Sequence, residues 1–324
     1  MVRSLPFVSL PNLAAQFYSS ESMRNLVSLL ALGCALNSVA WASKSVEVGP
    51  GQAIPSSIIT TNNAGVFKAD MPCVLPMVVV SFQTEVTEKA SSAMSVWGNS
   101  IAYTLDGISP ALMQKIADEA QEALESELKA AGWQVLPFEK IAALDSYKAW
   151  SQSAEVSGEE TKRSFFSAGK ATNTFSSKEM ERIFVGGRRP LVGNGMVLGG
   201  WTGSINLCKI GKAAGARVML FRVLVNFASA KAGKAGLFTG QTWKGKTDLE
   251  IGYAEMQAYP PDASGATPSR FSTDTVITKN SDFVRDVQKG HGGKTIVADP
   301  ERYEQDTVDA IRSVAKGFAA LTKK

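Results

Sequence analysis

Hydrophobic and polar positions along the chain fall into a few segments of clear period. Residues 74–84 (VLPMVVVSFQT) form an almost unbroken apolar, β-branched run, the pattern of a strand buried on both faces. Residues 86–106 alternate more loosely around Gly98-Asn99, which predicts a hairpin. From Pro110 the period lengthens to that of a helix. Leu112, Ile116, Ala120, Leu124 and Leu128 line one face, and Asp118, Glu119, Glu122, Glu125 and Lys129 fall mainly on the other. Ser109 can cap this helix, Pro110 suits its first turn and Gly132 can end it. Residues 133–137 (WQVLP) then resume an extended pattern, giving strand, helix, strand.

Further on, residues 141–150 read as a short helix. Residues 151–203 are polar, with a strand or hairpin near 164–175 and a glycine-rich stretch at 191–203. A helix over 204–214 ends at Gly215 and feeds a second strong strand at 217–227 (RVMLFRVLVNF). Residues 247–259 alternate through Leu249, Ile251 and Tyr253. A last helix starts at Asp299 and Pro300 and carries Thr307, Ile311, Val314, Phe318 and Leu321 as one apolar stripe.

The amino-terminal residues change the picture from fold to address. Residues 23–42 (MRNLVSLLALGCALNSVAWA) offer Arg24, an apolar run over 26–36 too short to span a bilayer, and a small-x-small cleavage site at Ala40 and Ala42. They read as a secretory signal with its start at Met23, cut after Ala42, and imply a periplasmic or secreted protein. A second reading, ranked below cleavage, lipidates Cys34 in LALGC and holds the protein at an outer membrane. Residues 43–72, rich in Gly, Pro, Ser, Thr and Asn, read as a flexible leader. Residues 73–324 then form a single α/β domain, a mixed sheet packed with helices, with a polar, hairpin-rich insertion around 151–203.

Cleavage removes Arg3, Arg24 and Glu21, two cations and one anion, and takes the formal net charge from +4 to +3. This is too mild for a nucleic-acid footprint. Only Cys73 and Cys208 survive cleavage, an even number in a compartment that permits disulfides. A bridge and two buried thiols both remain open.

Several motifs invite chemistry and yield to plainer readings. Residues 240–247 (GQTWKGKT) satisfy the phosphate-loop pattern, but the residues after them alternate like a strand where a helix is required, so a Gly/Lys-rich hairpin turn is expected and no nucleotide. Gly193, Gly195 and Gly199 have the wrong spacing for a dinucleotide fingerprint. His291, the one histidine, sits between glycines in KGHGGK and lacks the packed support a general base needs. No ligand spacing supports a metal site on Cys73, Cys208 and His291. Acids along one amphipathic helix read as a solvated face. Arg188-Arg189 is a candidate contact for an anionic partner. No catalytic residue and no cofactor are expected.

Three segments together carry a resemblance. VVVSF, PALMQKIADEAQEALESELKAAG and WQVLP, then CKIGKAAGA running into VMLFRVLVNFAS, and the terminal amphipathic helix, resemble the core of the curli-secretion lipoprotein CsgG and the TolB amino-terminal domain, with LpoB similar in fold. Gly215 falls at the bend where that group turns into its next strand. The resemblance implies an envelope protein, non-enzymatic, that binds another envelope protein or assembles with itself. The alternatives are a periplasmic carrier of an apolar molecule or lipid, with Trp97, Trp133, Trp150 and Phe221 as lining, and a hydrolase.

Overall fold

The computed structural model describes residues 45–89, 100–151, 155–156, 158, 160–161, 170–180, 182–183, 200–232, 243–261, 268–273, 275–290 and 293–322. The signal segment with Ala40, Ala42 and Cys34, the pair Arg188-Arg189, Trp97 and His291 lie outside them, as do Gly193, Gly195 and Gly199.

Along the chain come β1 (Ser45–Glu47), β2 (Thr60–Asn62), β3 (Cys73–Lys89), β4 (Ser100–Asp106), α1 (Pro110–Ala130), α2 (Glu139–Ala142) and α3 (Asp145–Ser151). Next are β5 (Glu155–Val156), β6 (Glu160–Thr161), β7 (Lys170–Ser176), β8 (Arg182–Ile183), α4 (Gly200–Ala214), β9 (Arg217–Asn226), β10 (Ser229–Ala232) and β11 (Trp243–Lys246). The chain closes with β12 (Leu249–Tyr259), β13 (Ser269–Thr273), β14 (Val276–Lys279), β15 (Val284–Gly290), β16 (Gly293–Ala298) and α5 (Pro300–Leu321). The class is mixed α/β.

β3 organises a sheet of twelve strands among the described residues. β9 runs parallel to its first half, with Val78 opposite Phe221, and β4 runs antiparallel to its last five residues. Glu85 and Val86 pair with β4 and with β7 alike, so β7 occupies the other edge and β9 and β4 share one. Beyond β9 lie β12, antiparallel, and β14, with β1 parallel at the end. Beyond β4 lie β16, parallel, and β15, antiparallel.

Alternation along β3 and β9 builds two apolar layers. On one side Val78, Val80, Phe82, Phe221 and Val223 meet Ile116 and Leu124 of α1 and Ile311, Val314 and Phe318 of α5. On the other, Val74, Met77, Val79, Val218 and Leu220 meet Ile141 of α2, Tyr147 and Trp150 of α3, and Leu207 and Ile210 of α4. Local chemistry sets the long helices as expected. Ser109 Oγ accepts from the Leu112 amide at 3.2 Å, and Asp299 Oδ1 from the Arg302 amide at 3.0 Å. Gly132 takes φ +96°, a left-handed turn out of α1.

Three expectations are corrected. Residues 45–72 are part of the domain, not a flexible leader. β1 adds to β14, β2 adds to β13, the Ile54 amide donates to Ser313 O on α5 at 3.1 Å, and Phe67 stacks on Phe271 with centroids 4.0 Å apart. Gly317 leaves the room that Ile54 fills against α5. The physical reason is that Val48, Ile54 and Phe67, sparse in sequence, all reach the core once the segment lies along it. The strand predicted at 133–137 contracts to one bridge, Val135 beside Cys73, held by Cys73 N–H to Gln134 O at 2.9 Å and Leu136 N–H to Cys73 O at 2.8 Å. Pro137 has no amide to continue that ladder. Part of the polar stretch 151–203 belongs to the sheet itself, β6 and β7 extending it beyond β3, and the described helix begins at Gly200, inside the glycine-rich stretch.

Candidate binding site on the second face of the sheet

The face of the sheet that carries α2, α3 and α4 is apolar only over the first residues of β9. Beyond Leu220 the same alternation presents Arg222 on β9, Tyr253, Glu255, Gln257 and Tyr259 on β12, and Arg270 and Ser272 on β13. The register places Arg222 directly opposite Glu255 on one side and Ser272 opposite it on the other, with Arg270 opposite Gln257. Two guanidinium-bearing residues thus flank one carboxylate from neighbouring strands.

Glu255 is 2% exposed. Gln257 donates to its Oε1 at 2.7 Å, and Tyr259 OH donates to Gln257 Oε1 at 2.8 Å, a chain of hydrogen bonds along one strand. Arg270 Nε lies 3.7 Å from Glu255 Oε1, an ion pair without a hydrogen bond. Burial pushes the Glu255 carboxyl above its ordinary value, although the bond from Gln257 and the charges of Arg270 and Arg222 pull the other way. Burial likewise raises the Tyr253 and Tyr259 phenols, with the charge of Glu255 adding to it, and lowers Arg222.

The sign of the Glu255 shift gives a test. A carboxyl raised above its ordinary 4.5 favours the folded state most at low pH, and that contribution is lost as pH rises through the folded value. In urea unfolding from about pH 4 to about pH 8, Glu255→Gln gains stability relative to the parent chain as pH rises. Parallel curves would contradict the buried, raised carboxyl.

The residues singled out in the sequence do not meet here. Cys73 and Cys208 are two buried thiols with no disulfide between them, and the bridge alternative is corrected. Cys73 belongs to the layer against α1 and α5 and Cys208 to the layer against α3 and α4, so the sheet separates them. Burial pushes the Cys73 thiol up to about 12, with the charge of Glu125 adding, which makes it an unreactive core residue. Trp133 and Phe221 lie in the first layer and Trp150 in the second, so these aromatics line no common cavity. Trp133 donates to Thr322 Oγ1 at 2.9 Å and closes α5 onto α1.

The described part of the phosphate-loop match, residues 243–247, is a hairpin arm. β11 pairs antiparallel with β10, Lys246 meets Asp248, and the chain passes into a strand with no helix to receive a phosphate. The Tyr103 hydroxyl fills the space a Cβ at Gly245 would need. The α1 acids are only partly a solvated face. Lys129 meets Glu125 at 3.1 Å, but Asp118 accepts from the Lys178 amide at 2.8 Å, and Gln121 donates to Glu179 at 2.9 Å, fixing the turn after β7.

Sequence reasoning misses Arg222, Glu255 and Arg270 because each looks like an ordinary strand residue. The legible signal is an arginine inside RVMLFRVLVNF and the every-second-residue series Tyr253, Glu255, Gln257, Tyr259. The arrangement offers charge and directional hydrogen bonds, the means of recognition. Among the described residues no group of three or more His, Cys, Asp or Glu could hold a metal, and no helix is long and apolar enough to cross a membrane. Compared with known proteins, the chain matches no family model, no curated protein and no solved structure.

Proposed function

We propose that this chain is an exported, non-enzymatic envelope protein that works by binding or assembling with another envelope component, in the manner of the CsgG and TolB amino-terminal group its segments resemble. The observation that carries the reading is β15. It ends the described sheet, pairs only with β16 there, and is exposed from Arg285 to Gly290, with Val287, among the described residues, the large apolar one most open to water at 40%. Such an edge offers main-chain donors and acceptors to an incoming strand. Its charges, Arg285, Asp286 and Lys289, discourage indiscriminate pairing, and Asp286 Oδ1 accepts from the Val287 amide at 2.8 Å.

The test is capture from envelope extract on the full chain carrying a carboxy-terminal tag, with mass spectrometry of proteins and lipids. A specific partner protein, or a second copy seen by sedimentation, is expected with the parent chain and lost with Val287→Pro. The Val287 amide already bonds to a side chain, so proline there removes no bond to β16. Recovery of lipid alone would favour the carrier reading. Recovery of neither protein nor lipid would overturn both.

A further inference from the structure

We infer that Arg222, Arg270 and Tyr253 form a receptor for a small oxyanion, a carboxylate or phosphate group, on the polar half of the second sheet face. This face lies apart from the edge strand β15. Around Arg222, three neighbouring strands present two guanidiniums and the carboxylate of Glu255, whose Oε1 is taken by Gln257 and whose buried Oε2 accepts from neither arginine, while the second carboxylate of this face, Glu250, stands farther along β12 opposite Asn226. Arg270 reaches Glu255 only at 3.7 Å. Arg222 Nε and Arg270 Nε are both buried, and neither donates a hydrogen bond.

A buried guanidinium N–H without an acceptor is costly, because it has given up water and gained nothing directional. Burial also weighs against full ionisation of Glu255, so the internal carboxylate neutralises the pair incompletely. An oxyanion supplies what is missing: negative charge and several lone pairs that accept forked N–H bonds from guanidinium. The placement is suitable. β9 and β13 lie on either side of β12 and the two arginines are offset by two residues along it, so their backbones are about 12 Å apart, and long side chains from both can converge above the strand between them. Tyr253, two positions from Glu255 on the same face, adds a phenol donor. Glu255 then acts as an internal competitor for the same guanidiniums.

Thermal unfolding and titration calorimetry of the full chain with sodium phosphate and with sodium acetate, against sodium chloride at equal ionic strength, test this. A saturable rise in Tm with one or both oxyanions, absent with chloride, is expected, and the two arms tell phosphate from carboxylate. Arg270→Gln weakens binding by at least about tenfold, as the loss of one charge-assisted contact requires. Glu255→Gln tightens it several-fold. Lys212→Gln, on the exposed side of α4, leaves it unchanged. Arg222→Gln abolishes binding if it folds; if it does not, Arg270, whose side chain is 27% exposed, and Glu255 carry the test. No saturable response to either oxyanion, or a response unchanged in Arg270→Gln, overturns the inference.

Discussion

Phe67→Ala is expected to destabilise the protein by about 3–5 kcal/mol, the range for deleting a buried aromatic ring. Phe67 is 3% exposed, lies nearly parallel to Phe271 with an interplanar angle of 15°, and Phe271 in turn meets Phe318 at 6.2 Å. Removing the ring therefore empties space between the amino-terminal segment, β13 and α5 at once. Equilibrium urea unfolding followed by far-ultraviolet circular dichroism measures it, with Thr61→Ala in the exposed β2 as the comparison, expected within about 0.5 kcal/mol of the parent. A cost for Phe67→Ala below about 1 kcal/mol would show that residues 45–72 do not belong to the cooperative core.

The second large effect lies on the other side of α5. Lys279, at the end of β14, places its Nζ 2.7 Å from Asp309 Oδ2 and 3.6 Å from Asp306 Oδ1, and its side chain is 10% exposed. Lys279→Ala leaves two carboxylates facing each other without their shared cation. Breaking a fully buried pair costs about 3–5 kcal/mol, and because Asp306 and Asp309 keep 17% and 25% of their exposure, about 2–3 kcal/mol is expected here. Adding Asp309→Asn to Lys279→Ala recovers part of the loss, since it removes one of the two charges that lose Lys279, Asp309 keeping only Arg312 at 3.5 Å. A double-mutant cycle with a coupling energy near zero would show that the contact contributes nothing net.

What can be read from the residues is what local chemistry decides. Ser109-Pro110 and Asp299-Pro300 announce helix starts because a cap needs only its own next three residues. Residues 74–84 announce a central strand because burial on both faces leaves an apolar run. The candidate site escapes such a reading because it depends on register. Arg222 stands opposite Glu255 only because β9 and β12 align at that position, and no pattern within either strand specifies the alignment. The cysteine alternatives stay open in the sequence for a related reason. Whether Cys73 can approach Cys208 depends on which side of the sheet each faces, and the bulge between Val74 and Met77 resets that parity. The amino-terminal segment looks like a leader because its binding surface lies on Phe271, Val276 and Ser313, and no window of neighbouring residues contains it.

That long reach has a consequence for the order of events in folding. β1 docks on a strand that begins at position 276, having itself begun at position 45, and the last helix, ending at Leu321, walls one side of the core. A chain made from its amino terminus therefore carries β1 and β2 without their strand partners until residues 269–279 have arrived. Contacts so distant in sequence form slowly. The central strand gains β4, α1 and β7 early, but the apolar stretch 74–84 keeps part of one face open until α5 closes over it.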